Sequence, residues 1–420
     1  MKTIKIEKAC LSIEQFKECY LKNSYNENIL NSDGSINKNY NSKKKTGLIA
    51  QIIEDGWNKM PVDEKNIILN YRKNADIEIK KVIDCHNKNL GCSVYECPEC
   101  HECVFIGHTC KSRFCTSCGY KYKLDRVNNI LNTAYNCKHR QVVFTCAKEL
   151  WPYFLLDFNL INIFYDAVNS TIYSILNESY KTVNGITKCY TSKTKYYPGY
   201  FAFLHTFGRD IKWNPHMHTL IAEIKLSNNS YKKWEYFDFK ALSIRFMKIL
   251  LDLMDDYLND YSFKLLKNKL HKKYKNGFYV YAEKKVFPNL KAGIEYITRY
   301  CSRPAISENR ILNYDGTNVT YFYNDHKDNS YHEVTVSNIK FVKMLLKHLL
   351  PSNFKSIRYY GFYRKKLPIH DKMVMMIPFE KRNFNKSLLN YRVCLFRFFN
   401  VDPFCCPKCN IKMDYLCEIT

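Results

Sequence analysis

The first candidate for chemistry is a pair of histidines separated by one residue. His216-Met217-His218 is the only His-x-His in the sequence. The residues that follow, 219–224, have the composition of a β-strand, and alternate side chains of a strand project from the same face. Two imidazoles on one face suit a divalent metal ion. Taken alone, the pair also fits two surface or core histidines that bind no metal.

The second candidate is a pair of tyrosines four residues apart. Tyr296 and Tyr300 enclose Ile-Thr-Arg299, and Arg303 follows shortly after. On a helix, positions i and i+4 share a face, and arginine matches the geometry of phosphate. A phenol has a pKa of about 10, so a nearby metal or arginine would favour the phenolate as a nucleophile. The plain alternative is that both rings pack on a sheet.

Together the two pairs predict a phosphoryl-transfer mechanism. A metal ion on the histidines would polarise a scissile phosphate while a tyrosine attacks it. The products would be a 5′-phosphotyrosine and a free 3′-OH. Because the phosphodiester energy is retained, no ATP is needed, and the sequence contains no GxxxxGK[ST] phosphate loop. A second tyrosine would allow a second transfer before the first strand is released.

Cysteines form a third constellation. Eight of the 19 cysteines lie between positions 85 and 118, including Cys97-Pro-Glu-Cys100 and Cys115-Thr-Ser-Cys118. Two CxxC knuckles in a short segment predict a tetrahedral zinc site, which would stabilise a module with little core of its own. The two knuckles are expected to share one ion. Cys85 and Cys110 are further candidate ligands, and a second zinc is left open.

Another knuckle, Cys406-Pro-Lys-Cys409, lies far along the chain, with Cys405 and Cys417 nearby. No second knuckle accompanies it in that segment. Whether it holds a metal ion is therefore left open.

Composition narrows the classes of partner. Lys and Arg number 65 against 40 Asp and Glu, a formal net charge of +25, which favours a polyanion. Residues 1–20 are charged and unlike a signal peptide. The most apolar stretch, 151–168, is interrupted by Asp and Asn, so no membrane span is predicted. An intracellular protein is expected, in which cysteines serve as metal ligands more often than as disulfides.

Strands and helices interleave between residues 140 and 350, which predicts an α+β class with an antiparallel sheet and packed helices. Helices are predicted at 46–82, 119–136, 151–176, 239–261, 289–302 and 337–350. Strands are predicted at 141–145, 200–206, 216–224 and 277–283, with a hairpin at 318–323 and 332–336.

Several motifs, in order, resemble the two-tyrosine HUH transposases of bacterial insertion sequences, which move by rolling-circle transposition. The similarity runs from about Cys85 to Cys409. It rests on the cysteine-rich segment, the histidine strand pair, the tyrosine motif and the regions that follow: Tyr95-Glu-Cys-Pro-Glu-Cys100, Cys110-Lys-Ser-Arg-Phe-Cys115, Leu204-His-Thr-Phe-Gly208, Trp213-Asn-Pro-His-Met-His218, Ile294-Glu-Tyr-Ile-Thr-Arg-Tyr300, His348-Leu-Leu-Pro351 and Ile357-Arg-Tyr-Tyr-Gly361.

The resemblance implies an HUH-type catalytic domain that nicks and joins single-stranded DNA at the ends of its element and in target DNA. It implies Tyr296 and Tyr300 as nucleophiles, structural Zn²⁺, and Mg²⁺ or Mn²⁺ at His216 and His218. His205, on the neighbouring strand, and Asp210, on the turn, are candidates for the third metal ligand. DNA contacts are expected from Arg113, Arg299 and Arg303.

The implied organisation is a helical region at 1–84, a zinc module at 85–136, a catalytic domain at 137–365 and a tail with a cysteine knuckle at 366–420. The expected location is the bacterial cytoplasm, associated with the nucleoid, and a homodimer is left open. Three alternatives stay open: a rolling-circle replication initiator, a non-catalytic zinc-dependent DNA-binding protein, and a metal-dependent nuclease without a covalent step.

Overall fold

The computed structural model describes most of the chain beyond residue 46. The described residues are 47–85, 90–135, 137–183, 186–227, 231–234, 237–281, 305–325, 328–365 and 404–419, with isolated positions between 370 and 402. Within them the helices are α1 Leu48–Lys59, α2 Val62–Tyr71, α3 Ala75–Ile83, α4 Thr116–Thr133, α5 Trp151–Leu156, α6 Asn159–Asn177, α7 Phe239–Leu258, α8 Tyr261–Lys273 and α9 Asn338–Leu346.

The strands of the same ranges are β1 Cys92–Glu96, β2 Cys103–Gly107, β3 His139–Thr145, β4 Glu178–Val183, β5 Ile186–Thr191, β6 Tyr197–Phe207, β7 Trp213–Leu226, β8 Tyr231–Lys233, β9 Val280–Tyr281, β10 Ile311–Tyr314, β11 Asn318–Asn324, β12 Tyr331–Ser337, β13 Ile357–Gly361 and β14 Asp414–Ile419.

The central sheet has the order β13-β6-β7-β3-β9, with β8 added beside β7, and its neighbouring strands are antiparallel. Smaller antiparallel sheets are formed by β14-β1-β2, β10-β11-β12 and β4-β5. The predicted α+β class is confirmed. The long β6 and β7 occupy the middle of the sheet, so their side chains have neighbours on both sides.

Alternation along β7 decides what each face of the sheet carries. Met217 and Ile221 point into the main core, which α6 and α7 cover. The rings of Phe144 and Phe246 lie 5.1 Å apart there. His216 and His218 alternate with Met217, so they project from the opposite face. The apolar core thus anchors the strand, and its other side stays available for chemistry.

The opposite face is covered in part by α4, which follows the cysteine-rich segment. Val127 and Ile130 of this helix pack with Phe201, Phe203 and Leu220 of the sheet. The helix therefore places the zinc-module residues that precede it on the face that carries the histidines. The domain boundaries expected from the sequence stay predictions. Contacts between α1 and α9, and between β1 and β14, run across them.

A buried arginine joins three helix ends. Arg72 is 1% exposed, and its guanidinium donates to the backbone oxygens of Tyr71 at 2.8 Å, Leu155 at 3.0 Å and Lys347 at 2.6 Å. These carbonyls lie at the C-terminal ends of α2, α5 and α9. Each such end carries about half a negative charge. Three of them therefore compensate one buried cation, although burial lowers the pKa of Arg72 to about 10.

Three predicted helical regions differ from the structure, and the first, expected at 46–82, is divided into α1, α2 and α3. The helix expected at 151–176 is divided in two, because Asp157 has an extended backbone and its Oδ1 accepts from the backbone N–H of Asn159. Local competition of this kind ends a helix despite an apolar pattern. After α7, Asn259 adopts a left-handed conformation, and Asp260 then caps the unpredicted α8. The helix predicted at 289–302 lies outside the described residues.

None of the helices in the described part of the chain is long and apolar enough to cross a membrane.

Candidate functional site

Three histidines meet on the central strands. Antiparallel pairing places His205 of β6 directly opposite His216 of β7. His205 Nδ1 lies 2.9 Å from His216 Nε2, and the rings of His216 and His218 are 4.9 Å apart. One ligand nitrogen from each of the three lies within 4.8 Å of the others. The structure thus brings together the histidine pair and the third ligand candidate on its neighbouring strand.

Hydrogen bonds fix the orientation of two of these rings. His216 Nδ1 lies 2.7 Å from the carbonyl oxygen of Asn214. A carbonyl only accepts, so this nitrogen carries the proton and the Nε2 lone pair faces the cluster. His218 Nδ1 lies 2.9 Å from the side-chain amide of Gln141, a buried residue of β3. Sequence reasoning missed Gln141, since only the pairing of β3 with β7 brings it there.

Among the residues that the structure describes, the donor set of the cluster is entirely nitrogen. Asp210, the other third-ligand candidate, is not part of it: its carboxylate lies 3.0 Å from Lys212 Nζ and accepts from the backbone N–H of the same residue. Imidazole prefers borderline first-row ions, and Mg²⁺ prefers oxygen ligands. Three nitrogens alone therefore match neither Mg²⁺ nor Mn²⁺ fully, and either ion would need oxygen atoms at its remaining positions.

The turn between β6 and β7 is held by a neutral histidine. His348 Nε2 donates to the carbonyl of Ile211 at 2.9 Å, and its Nδ1 accepts from the hydroxyl of Thr206 at 3.1 Å. Burial lowers the pKa of His348 to about 4, which keeps the ring uncharged at neutral pH. Thr206 directly follows His205, so this contact fixes the end of β6 that carries the metal-ligand candidate.

A cavity of about 740 Å³ opens beside His205. One wall comes from the loop 111–114 and α4, and the other from the segment 348–359. Its volume falls within the range of ligand pockets. The cavity therefore gives a bound molecule access to at least one of the three histidines.

Cationic and aromatic side chains line the wall formed by α4. The guanidinium of Arg126 lies 4.7 Å from the ring centre of Tyr122, and that of Arg113 lies 5.6 Å from the same ring. Arg113 also donates to the hydroxyl of Ser356 at 3.0 Å. Tyr359 lines the same cavity, and burial raises its pKa to about 12, so it stays protonated. Of the predicted DNA contacts, Arg113 is thus placed in the cavity.

The loop 111–114 is bounded by two members of a cysteine cluster. The sulfurs of Cys85, Cys110, Cys115 and Cys118 lie within 4.8 Å of one another, and individual separations are 3.5 to 3.6 Å. A tetrahedral zinc with bonds of about 2.3 Å requires sulfurs about 3.8 Å apart. Thiol–thiol hydrogen bonds raise the pKa of Cys110 and lower that of Cys118. The cluster therefore has the spacing of a Cys₄ zinc site.

The expectation that the two neighbouring knuckles share one ion is wrong. Cys97 and Cys100 lie instead with Cys406 and Cys409, in a second cluster whose sulfurs are also within 4.8 Å of one another. Spacing alone misled here, because each knuckle supplies two ligands and the fold decides which pairs meet. All six cysteines expected to bind zinc belong to one or the other cluster.

Tyr296 and Tyr300, together with Arg299 and Arg303, lie outside the described residues. The described residues that flank this segment in the sequence are Tyr281 of β9 and Ala305. Tyr281 pairs with Val143, which in turn pairs with His218. Ala305 lines the cavity beside His205. One strand, β3, thus separates Tyr281 from His218, and Ala305 lines the same cavity as His205.

Comparisons with known proteins give matches along most of this architecture. A family model described as "Transposase zinc-binding domain", of the IS91 type, matches residues 52–146. A second model, described as "Putative transposase", matches residues 199–368. The first range contains the complete cluster of Cys85, Cys110, Cys115 and Cys118, and the second contains all three histidines.

Two related proteins are also described as transposases. The chain is 26% identical over 375 residues to the "Transposase for insertion sequence element IS801" of Pseudomonas savastanoi pv. phaseolicola, covering 82% of this chain and 85% of that protein. It is 24% identical over 299 residues to "Putative transposase y4qJ" of Sinorhizobium fredii (strain NBRC 101917 / NGR234), covering 66% of this chain and 71% of that one. No solved structure gives a significant match. The family resemblance drawn from the motifs is confirmed, since both models and both relatives are described as transposases and the zinc-binding model is of the IS91 type.

Proposed function

We propose that this transposase nicks and rejoins single-stranded DNA at the ends of its own element through a 5′-phosphotyrosine intermediate, as in rolling-circle transposition. The observation that carries the proposal is the cluster of His205, His216 and His218 on the two central strands, open to a cavity with a cationic wall. A transposase is a DNA-cleaving and strand-transferring enzyme, and this cluster is the place where we expect cleavage to occur.

The three histidines would hold the divalent ion, Mg²⁺ or Mn²⁺, together with oxygen atoms at its remaining positions. Bound there, the ion would supply Lewis-acid stabilisation to the scissile phosphate. His216 is held for this task by Asn214, and His218 by Gln141. Turning the Gln141 amide by 180° would let its oxygen accept from His218 Nδ1, which would leave Nε2 for the ion. In the present rotamer that oxygen has no hydrogen-bond partner among the described residues.

Tyr296 and Tyr300 are the proposed nucleophiles. The phenolic oxygen loses its proton and bonds to phosphorus, and the bond from phosphorus to the 3′-oxygen breaks, so the leaving strand gains a 3′-OH. The number of phosphoester bonds is unchanged, and the reverse attack by a 3′-OH on the phosphotyrosine joins strands. Arg299 and Arg303 are proposed to neutralise the phosphate. The positions of Tyr281 and Ala305 support this assignment.

The cavity beside His205 is the proposed path of the single strand. Arg113 and Arg126 supply positive charge, and Tyr122, Phe114 and Tyr359 supply aromatic surface. Single-stranded DNA is bound by this combination, since bases stack on aromatic rings and phosphates meet cations. Element ends and target DNA are therefore the proposed partners, and the proposed place of action is the bacterial cytoplasm.

The test of the function is a covalent-adduct assay. The protein is incubated with labelled single-stranded DNA carrying the ends of its element and Mn²⁺, and the products are separated on a denaturing gel. We expect a protein–DNA band that disappears with EDTA and in the Tyr296→Phe/Tyr300→Phe variant. Tyr261→Phe, at a tyrosine that is 74% exposed, is the matched control and should keep the band.

Each other outcome favours a different function. Cleavage without a covalent band would indicate a metal-dependent nuclease. Binding without cleavage, by folded protein and verified ends, would contradict catalysis and favour a zinc-dependent DNA-binding protein. A band that persists in the double tyrosine variant would place the nucleophile elsewhere.

Replacing Arg113 by alanine should weaken binding of single-stranded oligonucleotides about five- to tenfold, whatever their sequence, because one charge-assisted phosphate contact is lost. The slope of log K against log salt should become shallower by about 0.7, the value for one phosphate on a single strand. Fluorescence anisotropy at several salt concentrations measures both. Lys188→Ala, an exposed cation of β5, should change neither. A sequence-dependent loss with an unchanged slope would contradict a phosphate contact.

A further inference from the structure

The two knuckles of the second cysteine cluster have the same backbone structure. The N–H of Cys97 donates to the carbonyl of Glu102 at 2.9 Å, and the N–H of Cys406 donates to the carbonyl of Ile411 at 2.8 Å. Each bond closes a turn of the same length around a Cys-Pro-x-Cys sequence. Two segments more than 300 residues apart thus form the same metal-binding turn.

The residues that follow the two knuckles also have the same backbone conformation. His101 and Asn410 both have left-handed backbones, with φ of 56° and 58°. Their N–H groups donate to the carbonyls of Cys97 and Cys406, at 3.0 and 2.9 Å. A left-handed conformation costs free energy for a residue other than glycine. Its appearance at both places indicates that the turns are shaped to aim sulfurs at a common point.

The sulfurs of the two turns do converge. Cys97, Cys100, Cys406 and Cys409 have their sulfurs within 4.8 Å of one another, and the Cys100–Cys406 separation is 3.6 Å. That spacing is close to the about 3.8 Å of a tetrahedral zinc and far from the about 2.0 Å of a disulfide. The backbone N–H groups of Lys408 and Cys409 point at Cys406 Sγ from 3.4 Å.

The segments that carry the turns also form one sheet. β14 pairs antiparallel with β1, whose other neighbour is β2. Tyr95 packs edge-on against Phe404 and Tyr415, with ring centres 5.7 and 5.6 Å apart. Among the described residues, the buried centre of this unit contains little more than Tyr95, Met413 and two of the cysteines. A core this small needs a metal ion to be stable.

We propose that residues 404–419 are the second half of a zinc ribbon whose first half is 92–107, with one zinc held by Cys97, Cys100, Cys406 and Cys409. This zinc is separate from the one at Cys85, Cys110, Cys115 and Cys118, so the protein holds two thiolate-bound zinc ions. The metal-binding part of the protein is then discontinuous in sequence, and the catalytic sheet is an insertion between its halves. This inference does not depend on the proposed DNA chemistry.

The test counts the zinc that thiolates hold. Treating the purified full chain with an organomercurial, after dialysis against EDTA to clear the histidine cluster, should release two zinc ions per chain. Cys406→Ser/Cys409→Ser should release one. Cys405→Ser/Cys417→Ser is the matched control at two cysteines outside the cluster, and should release two. One ion from the parent, or two from the Cys406→Ser/Cys409→Ser variant, would overturn the proposal.

Two further measurements test the proposal if the Cys406→Ser/Cys409→Ser variant folds poorly. Cys409→His keeps a zinc ligand, so this variant should still bind two metal ions, and its Co²⁺ form should lose about one eighth of the thiolate charge-transfer absorbance. Hydrogen exchange should show that Cys406→Ser/Cys409→Ser loses protection in β1 and β2 while β6 and β7 keep theirs. Unchanged protection of β1 would show that the distant knuckle is not part of this ribbon.

Discussion

His216→Ala should reduce Mn²⁺-dependent cleavage of single-stranded DNA by at least about a hundredfold. The residue supplies the nitrogen at the centre of the cluster, 2.9 Å from His205 and one position away from Met217, which anchors the strand in the core. Losing it would leave two ligands for the proposed ion, which would supply several kcal/mol of transition-state stabilisation. At about 1.4 kcal/mol for each tenfold change in rate, a loss of 3 kcal/mol or so gives this effect.

The measurement is a single-turnover cleavage assay over a range of Mn²⁺ concentrations. His332→Ala, at an exposed histidine of β12, is the matched control and should cleave at the parental rate. The melting temperature of His216→Ala should stay near that of the parent, because the ring is only partly buried. Full cleavage by His216→Ala would show that the metal ion, or the reaction itself, lies elsewhere.

Arg72→Met should lower the free energy of unfolding by about 3 to 5 kcal/mol. The methionine fills part of the same volume but leaves the carbonyls of Tyr71, Leu155 and Lys347 without their donor. An unsatisfied buried polar group costs about 1 to 3 kcal/mol, and removing one member of a buried charge network has effects of this size. Arg72→Lys should also be destabilising, since an ammonium lacks the planar fork that reaches three helix ends.

Urea unfolding followed by tryptophan fluorescence is the suitable measurement, because Trp213 lies 5.7 Å from the guanidinium. Lys73→Met changes the next residue, which is exposed, and should alter the stability by no more than about 0.5 kcal/mol. If Arg72→Met unfolds within about 1 kcal/mol of the parent, the three carbonyls must have found other donors. The junction of α2, α5 and α9 would then not depend on this residue.

The histidine site was largely predictable because its geometry is local. His205 and His216 lie in consecutive strands joined by a short turn, and antiparallel pairing then places them opposite each other. The alternation of His216, Met217 and His218 gives one face for ligands and another for the core. Gln141 escaped prediction because β3 is far from β7 in sequence, and only the sheet order brings its amide to His218.

The assignment of cysteines to metal ions was not predictable from spacing. Cys-x-x-Cys spacings occur in three stretches of the sequence, at 97–103, 115–118 and 406–409, and these look equally capable of pairing. Which two share an ion depends on the strand pairing of β1 with β14 and on the position of α4, and these are long-range contacts. Short sequence distance predicted that the knuckles at 97–100 and 115–118 share an ion. The pairing of β1 with β14 instead brings 97–100 together with 406–409.

Because 306 residues separate Cys100 from Cys406, the ribosome synthesises the two halves of the ribbon at different times. At about 5 to 20 residues per second, a ribosome takes about 15 to 60 s to add the second half of the ribbon after the first. Throughout that interval β1 presents an unpaired edge and two uncoordinated thiols, which invite aggregation and oxidation. Translation that stops early would leave this half-ribbon permanently open, and cellular proteases would then discriminate finished transposase from interrupted products.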